Sequence, residues 1–420
     1  VHQDAVSIFQ SAIDSVRPST LFPQLLRNSE DEHLVSWQNS PARWLLSIGK
    51  AGMSSAEAIL RECPVSDYFI VSPHAIVPAG LDPDKIHFGS HPLPDEKSFL
   101  AAREMLQWIA QIPDNSSLLV VLSGGTSALV ASPADGIAET SKTTLNDLLI
   151  RCGASIWEIN TVRKHCSRVK GGQTGLAASK LQTSVLVISD VPNDDLSTIG
   201  SGPFYYDSTT FIAASEILQH YQIWTSLPKD IRKRIDAGIK GEIPETPKEG
   251  SLSIPHRIIA SNAIARESAR KKAIELGYDA EIIRELLVQP VDLAVEHLKE
   301  QITRMRAGSA LIFGGEVTVQ VRGNGIGGRN QHFALLMSSI IANSGLVFAA
   351  AGTDGVDGNS PAAGAWTDGN TMIKANEMRL STEEFLNACN SFQFFSTLDQ
   401  SILTGPTGTN VMDLYILLRK

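Results

Sequence analysis

Ser123-Gly124-Gly125-Thr126-Ser127 follows the apolar run 118–122 and has the makings of a phosphate-holding loop. Its two glycines let backbone amides approach a ligand closely, and its three hydroxyls offer donors to phosphate oxygens. A plain tight turn would use only the glycines. A second loop, Gly49-Lys50-Ala51-Gly52, ends the apolar run 44–48 and places a lysine where an ammonium could meet a phosphoryl group. A third, Ser189-Asp190-Val191-Pro192-Asn193-Asp194-Asp195, follows the run 184–188. Carboxylates at such a strand end suit Mg²⁺, which takes one or two of them together with substrate phosphates. Asp190 is therefore the candidate metal ligand, and Asp190 and Asp194 are candidates for the phosphate side. The competing reading is an Asp-rich turn with a helix-capping role.

Positive charge collects in one stretch. Arg163, Lys164, His165, Arg168 and Lys170 occur with no acid between Glu158 and Asp190. Arg163 and Lys170 are seven apart, so one helix running through both and capped by Gly171-Gly172 would put them on one face; the competing reading is a solvated helix face. Further on, Gly323-Asn324-Gly325-Ile326-Gly327-Gly328 matches GxGxxG, between an expected strand at 317–321 and an expected helix at 331–342. With Arg329-Asn330-Gln331 directly after it, an anion-binding loop at a helix start is the expectation. A dinucleotide site would want an acid about twenty positions on, and Asp354 lies 26 past Gly328. His91, in His91-Pro92-Leu93-Pro94-Asp95, reads as a loop packing residue rather than a base. No GxxxxGK[ST] or HExxH occurs, and Asp354, Asp357 and Asp368 do not fit a calcium loop.

These loops need strands to present them. Apolar runs feeding helix-period segments through short glycine turns predict an α/β, doubly wound, Rossmann-like sheet, with ligands at the carboxyl ends of its strands. Residues 241–250 hold two prolines and three glutamates and read as a linker. Domains are thus expected at 1–240 and 251–420, the second a smaller α/β domain with helices at 263–276 and 286–306. Segment 352–370 reads as a long polar loop. The 420 residues, 43% hydrophobic and 19% charged, suit a folded protein of two or three domains, and the net charge of −9 argues against nucleic acid as the main partner. Four cysteines without CxxC spacing, no signal-peptide pattern and no apolar run near eighteen residues make a cytoplasmic protein the expectation, with no membrane partner.

Taken together, the chain resembles the glycerate 2-kinase family whose C-terminal part is the MOFRL domain. The resemblance rests on Gly49-Lys50-Ala51-Gly52, His91-Pro92-Leu93-Pro94-Asp95, Ser123-Gly124-Gly125-Thr126-Ser127 and Asn160-Thr161-Val162-Arg163. It continues through Val169-Lys170-Gly171-Gly172, Ser189-Asp190-Val191, Ser201-Gly202-Pro203 and Gly314-Gly315-Glu316. Gly327-Gly328-Arg329-Asn330-Gln331, Ala351-Gly352-Thr353-Asp354-Gly355 and Gly405-Pro406-Thr407-Gly408-Thr409-Asn410 complete it, in family order. It departs at Asn193, where the family often has glycine, and at Gln173-Thr174-Gly175. The resemblance implies a MOFRL region at about 308–415, an active site in an interdomain cleft, and Mg²⁺-assisted transfer of the γ-phosphoryl of ATP to the 2-hydroxyl of D-glycerate. In the family a lysine at the Lys50 position and an arginine at the Arg329 position face that cleft, so both are expected to be catalytic; Arg163, Lys170 and Asp354 are expected on the substrate. The rival readings are an NAD(P)H-dependent hydroxypyruvate reductase and a non-catalytic sugar-acid sensor.

Overall fold

The structure, a computed structural model, describes all residues from 1 to 420. The chain forms two compact units, one of residues 22–259 and one of residues 1–21 with 260–420.

The first unit is built on strands β1 (Arg43–Ile48), β2 (Asp67–Ser72), β3 (Ile86–Phe88), β4 (Ser117–Leu122), β5 (Gln182–Ile188) and β6 (His256–Ala260), in the order β3-β2-β1-β4-β5-β6. β1 pairs in parallel with β2 and β4, β2 with β3, and β4 with β5. All six residues of β4 are buried. A near-continuous apolar strand of that kind is what a parallel sheet covered on both faces requires. Leu46, Ile48, Val120, Leu122, Val185 and Val187 form its core with Met105 and Ile109 of helix Glu96–Gln111. Asp95 starts that helix through a reciprocal cap with Ser98. The strand order reverses between β1 and β4, so the crevice for a ligand opens outside their carboxyl ends. Ile48 lies opposite Leu122 there, and the Lys50 and Ser123 loops leave the sheet side by side.

The second unit carries β7 (Asp279–Ile282), β8 (Ser309–Gly315), β9 (Leu346–Gly352), β10 (Gly364–Asp368), β11 (Ser401–Ile402) and β12 (Asp413–Arg419) in the order β11-β10-β9-β12-β8-β7. β12 is antiparallel to both β8 and β9. Helix Arg329–Ile340 covers the sheet through Phe333, whose ring centroid lies 5.0 Å from Phe348 and 5.2 Å from Tyr415. Helix His2–Val16 belongs to this unit, and its Ser11 carbonyl accepts from Ser268 Oγ at 3.0 Å.

Several expectations need correction. The boundary falls at 259/260 rather than in 241–250, and the first helix joins the later residues. Segment 241–250 is tied down instead: Glu245 meets His165 at 3.0 Å, and Thr246 donates to Asp207 at 2.9 Å. Residues 317–321 form no strand; Thr318 makes only an isolated bridge to Pro290. The long helix begins at Val291, behind Pro290, and ends at Arg304. The polar stretch 352–370 hides a buried strand, β10, whose small residues Gly364 and Ala365 let it lie against β9. No helix is long and apolar enough to cross a membrane.

Candidate active site

At the carboxyl ends of β1 and β4 the two loops are sewn together. Lys50 N donates to Gly124 O at 2.8 Å, and Ala51 N donates to Ser123 Oγ at 3.0 Å. Thr126 Oγ1 reaches Ser123 O at 2.7 Å and Ile48 O at 3.2 Å. Gly49 has a φ of 124°, and a Cβ there would strike Ser123, so only glycine allows this approach. A Cβ on Gly124 would likewise run into the carboxylate of Asp190, which places that acid directly over the loop. The hydroxyls of Ser123 and Thr126, expected to grip phosphate, are therefore turned inward to hold the loops. The first amides of helix Thr126–Leu129, which have no earlier turn to bond, are left for other acceptors.

His91 stands at the same loop. Its Cδ2 and the Cγ of Lys50 lie 3.2 and 3.3 Å from where a Cβ on Gly125 would be. Partial burial and then the Lys50 charge hold its imidazole below the ordinary histidine range. Sequence reading gave it only a packing role, because nothing in the His-Pro-Leu-Pro-Asp spacing places it beside Lys50.

The basic stretch is arranged differently from expectation. Helix Ile156–His165 ends at Cys166, so Arg163 and Lys170 do not share a helix, and Gly172 instead precedes the next one, Gln173–Ala177. Lys170 is buried, and its Nζ donates to Ser127 O at 2.6 Å and Ser127 Oγ at 2.7 Å, propping the loop from beneath. Burial drives its ammonium well below the ordinary lysine range, and the charges of Arg163 and Lys142 add to this. Lys142, also buried, donates to the carbonyls of Arg163 at 3.1 Å and Cys166 at 3.0 Å, and burial takes it down to about 7. Asp194 lies in the short turn Pro192–Asp194, where Asn193 and Asp194 both take left-handed backbone angles. Asn193 adopts there a conformation that glycine tolerates more readily. No group of three or more His, Cys, Asp or Glu side chains is placed to hold a metal ion.

In the other unit the GxGxxG loop is filled by the protein itself. Gly327 N donates to Asn359 Oδ1 at 2.9 Å, Ile326 N to Asn390 Oδ1 at 3.0 Å, and Gly325 N to Ala388 O at 2.9 Å. Where an anion was expected, at the start of helix Arg329–Ile340, stands Asp357. It accepts from the amides of Asn330 at 3.1 Å and Gln331 at 2.8 Å, and from both their side chains. Burial still pushes its carboxyl up to about 6, with Asp413 adding to the effect. A dinucleotide site on these glycines is excluded.

Arg329 is gripped on two sides. Its Nε and Nη2 meet the buried Asp413 at 2.5 and 3.0 Å, and its Nη1 meets the exposed Glu316 at 2.7 Å. Burial would lower its pKa, but Asp413 and Glu316 hold it far above the ordinary range. A Cβ on Gly352 would sit 3.1 Å from Asp354 Oδ1 and 3.3 Å from Asp413 Oδ1, so both acids border one point. Sequence reading missed Asp413. Its signal was a lone acid opening the apolar run 413–418.

With this geometry in view, residues 4–236 match a family model described as a domain of unknown function, DUF4147, and residues 309–413 match the MOFRL family. A glycerate 2-kinase from Pyrococcus horikoshii is 35% identical, with 100% of this chain and 97% of that protein aligned. A D-glycerate 2-kinase from Thermotoga maritima is 33% identical over 98% of this chain and 97% of its own length. The crystal structure of a Thermotoga maritima glycerate kinase superposes with a TM-score of 0.88 at 32% identity, covering 100% of this chain and 99% of that one. A relative from Agrobacterium vitis, 33% identical over 93% of this chain and 91% of its own, is named only provisionally as a hydroxypyruvate reductase.

Proposed function

The chain belongs to the glycerate kinase family that joins a DUF4147 domain to a MOFRL domain, and on that premise we propose that it transfers the γ-phosphoryl group of ATP to the 2-hydroxyl of D-glycerate. The products are 2-phospho-D-glycerate and ADP. The observation that carries this reading within the molecule is the meeting of Lys50, the Ser123–Ser127 loop and Asp190 at the strand-order reversal of the parallel sheet.

Phosphoryl transfer asks for in-line positioning and positive charge on the moving oxygens. Lys50 supplies that charge to the γ-phosphate. Gly124, Gly125, Thr126 and Ser127 offer backbone amides to the phosphate chain, while Ser123 and Lys170 keep the loop in shape. Asp190 would hold Mg²⁺, with Asp194 the alternative carboxylate; one carboxylate suffices, because that ion keeps waters and phosphate oxygens as its other ligands. When bound there, the ion neutralises phosphate charge. Arg329 keeps its Asp413 pair and can trade the exposed Glu316 for an anion at small cost, since such pairs are worth about 0–1 kcal/mol. Asp354 stands beside it as an acceptor-side group. The supply of ATP fits a cytoplasmic setting.

The reductase reading has lost its structural footing, because the one GxGxxG loop has its amides occupied and follows no strand. A silent sensor would have no use for Lys50 at the phosphate loop. The experiment is direct: ADP release with ATP and D-glycerate, against NADH oxidation with hydroxypyruvate, with phosphorus NMR assigning the product carbon. NADH turnover without ADP release would reverse the conclusion.

A further inference from the structure

Nothing so far meets the carboxylate of the acceptor. In helix Ile156–His165, Asn160 and Arg163 are three apart and so lie on one face. Asn160 Oδ1 accepts from Ser201 Oγ at 3.0 Å, and Ser201 Oγ lies 2.9 Å from Ser127 Oγ. That line of polar contacts runs from the Arg163 face to the loop that follows β4, where Lys170 also arrives.

The cations around it have unequal company. Lys164 is paired with Asp207 at 3.3 Å. Lys142 is satisfied by two carbonyls and Lys170 by Ser127. Arg163 takes part in no ion pair, and its buried Nε has no hydrogen-bond partner. A guanidinium carries five donors in a planar fork, and leaving such a charge buried beside two more cations is unfavourable unless an anion joins it. Its residue is only half-buried, so a ligand can reach it.

We propose that Arg163 receives the carboxylate of the hydroxy-acid acceptor, with the Ser127–Ser201–Asn160 line fixing the acceptor's hydroxyl side. The planar fork matches a carboxylate in two parallel hydrogen bonds, which a lysine cannot reproduce. This assignment rests on the kinase reading given above and names the residue that selects the acid class.

The test compares the full-length protein with Arg163→Lys and Arg163→Met. Steady-state rates give KM for D-glycerate and for ATP separately, and calorimetry gives D-glycerate binding without ATP. Both variants should raise the D-glycerate KM and Kd roughly 10- to 100-fold, the loss expected for a charged hydrogen bond, with the ATP KM within about twofold. Arg163→Met should melt no lower than the parent, because it removes a charge that has no partner in the protein. A raised ATP KM with unchanged D-glycerate KM would assign Arg163 to the nucleotide phosphates and overturn the proposal. So would a clear fall in melting temperature of Arg163→Met, or an unchanged KM for both substrates. Should the parent bind D-glycerate without releasing ADP, the kinase reading fails alone, and the binding data still judge Arg163. A parent that binds no D-glycerate overturns both.

Discussion

Beside the parallel sheet, Lys142, Arg163 and Lys170 lie close together without a carboxylate among them, whereas beside the mixed sheet Asp413 and Glu316 hold a single cation, Arg329, and Asp357 caps the helix that Arg329 opens. The two regions settle their surplus charge in opposite ways. The acids are met from within, Asp357 by backbone amides and Asp413 by a two-point arginine pair. The cations are met by carbonyls and hydroxyls, and Arg163 is left over. One region has paired its charges within the chain, and the other holds a cation with no partner of its own.

The largest effect should come from Lys50, which belongs to the unfinished side. Lys50→Ala should lower kcat by roughly 10²–10³, about 3–4 kcal/mol, the cost of losing one positioned charge on developing oxyanions, with a near-parent melting curve. An ADP-release assay on the folded variant decides it. On the finished side the expectation reverses. Arg329→Met strands the buried Asp413 and should cost about 3–5 kcal/mol of stability, read from urea unfolding. If Arg329→Met unfolds like the parent, the contrast collapses. A turnover loss in that variant counts as catalytic only once its stability loss has been measured.

Titration sharpens the contrast further. The carboxyl of Asp357 sits at about 6 in the folded chain and about 3.9 when unfolded, so its contribution is whole below pH 4 and lost as pH rises through 6. Lys142 sits at about 7 folded and about 10.4 unfolded. Its penalty is full below pH 7 and is relieved as pH climbs towards 10. Each slope is at most about 1.4 kcal/mol per pH unit. Relative to Asp357→Asn, the parent should lose stability from pH 4 to 6. Relative to Lys142→Met, it should gain from pH 7 to 9. Slopes of the same sign would refute the opposition.

The smallest effect belongs to Arg168, an exposed neighbour paired with Asp135 at 3.4 Å. Arg168→Ala should change stability by less than about 1 kcal/mol and leave both KM values alone, since exposed pairs contribute little. A D-glycerate KM that moves with Arg168 would mean that charge density, not the buried fork, selects the acid.

How much of this was legible in the sequence varied with the kind of residue. β1, β4 and β5 were plain because strands buried on both faces read as mostly apolar runs, and their exits located Lys50, the Ser123 loop and Asp190. What the Ser123 and Thr126 hydroxyls do was not, because a side chain that bonds its own neighbouring loop looks, in sequence, like one that waits for a ligand. The GxGxxG reading failed for a similar reason: Asn359 and Asn390, which occupy its amides, lie 32 and 64 residues away. Helix Ile156–His165 stopped short of Lys170 although the charge pattern ran on, since the backbone turns at Cys166 and Ser167 accepts from two later amides. β10 escaped notice because small residues pressed against another backbone carry no hydrophobic signature.

The place of β12 in its sheet bears on how the protein is made. This strand, Asp413–Arg419, is flanked by β8 and β9, so the middle of the mixed sheet is made after both of its neighbours. Residues 22–259 hold every strand of the parallel sheet but for the tip of β6, and can condense while synthesis continues. The opening helix, His2–Val16, must meanwhile wait for partners that begin at Ala260. At about 5–20 residues per second that wait is roughly 12–50 seconds. Once β9 has emerged, the edges of β8 and β9 lack their shared neighbour until β12 follows, so a nascent chain stalled between residues 352 and 413 leaves the middle of that sheet open.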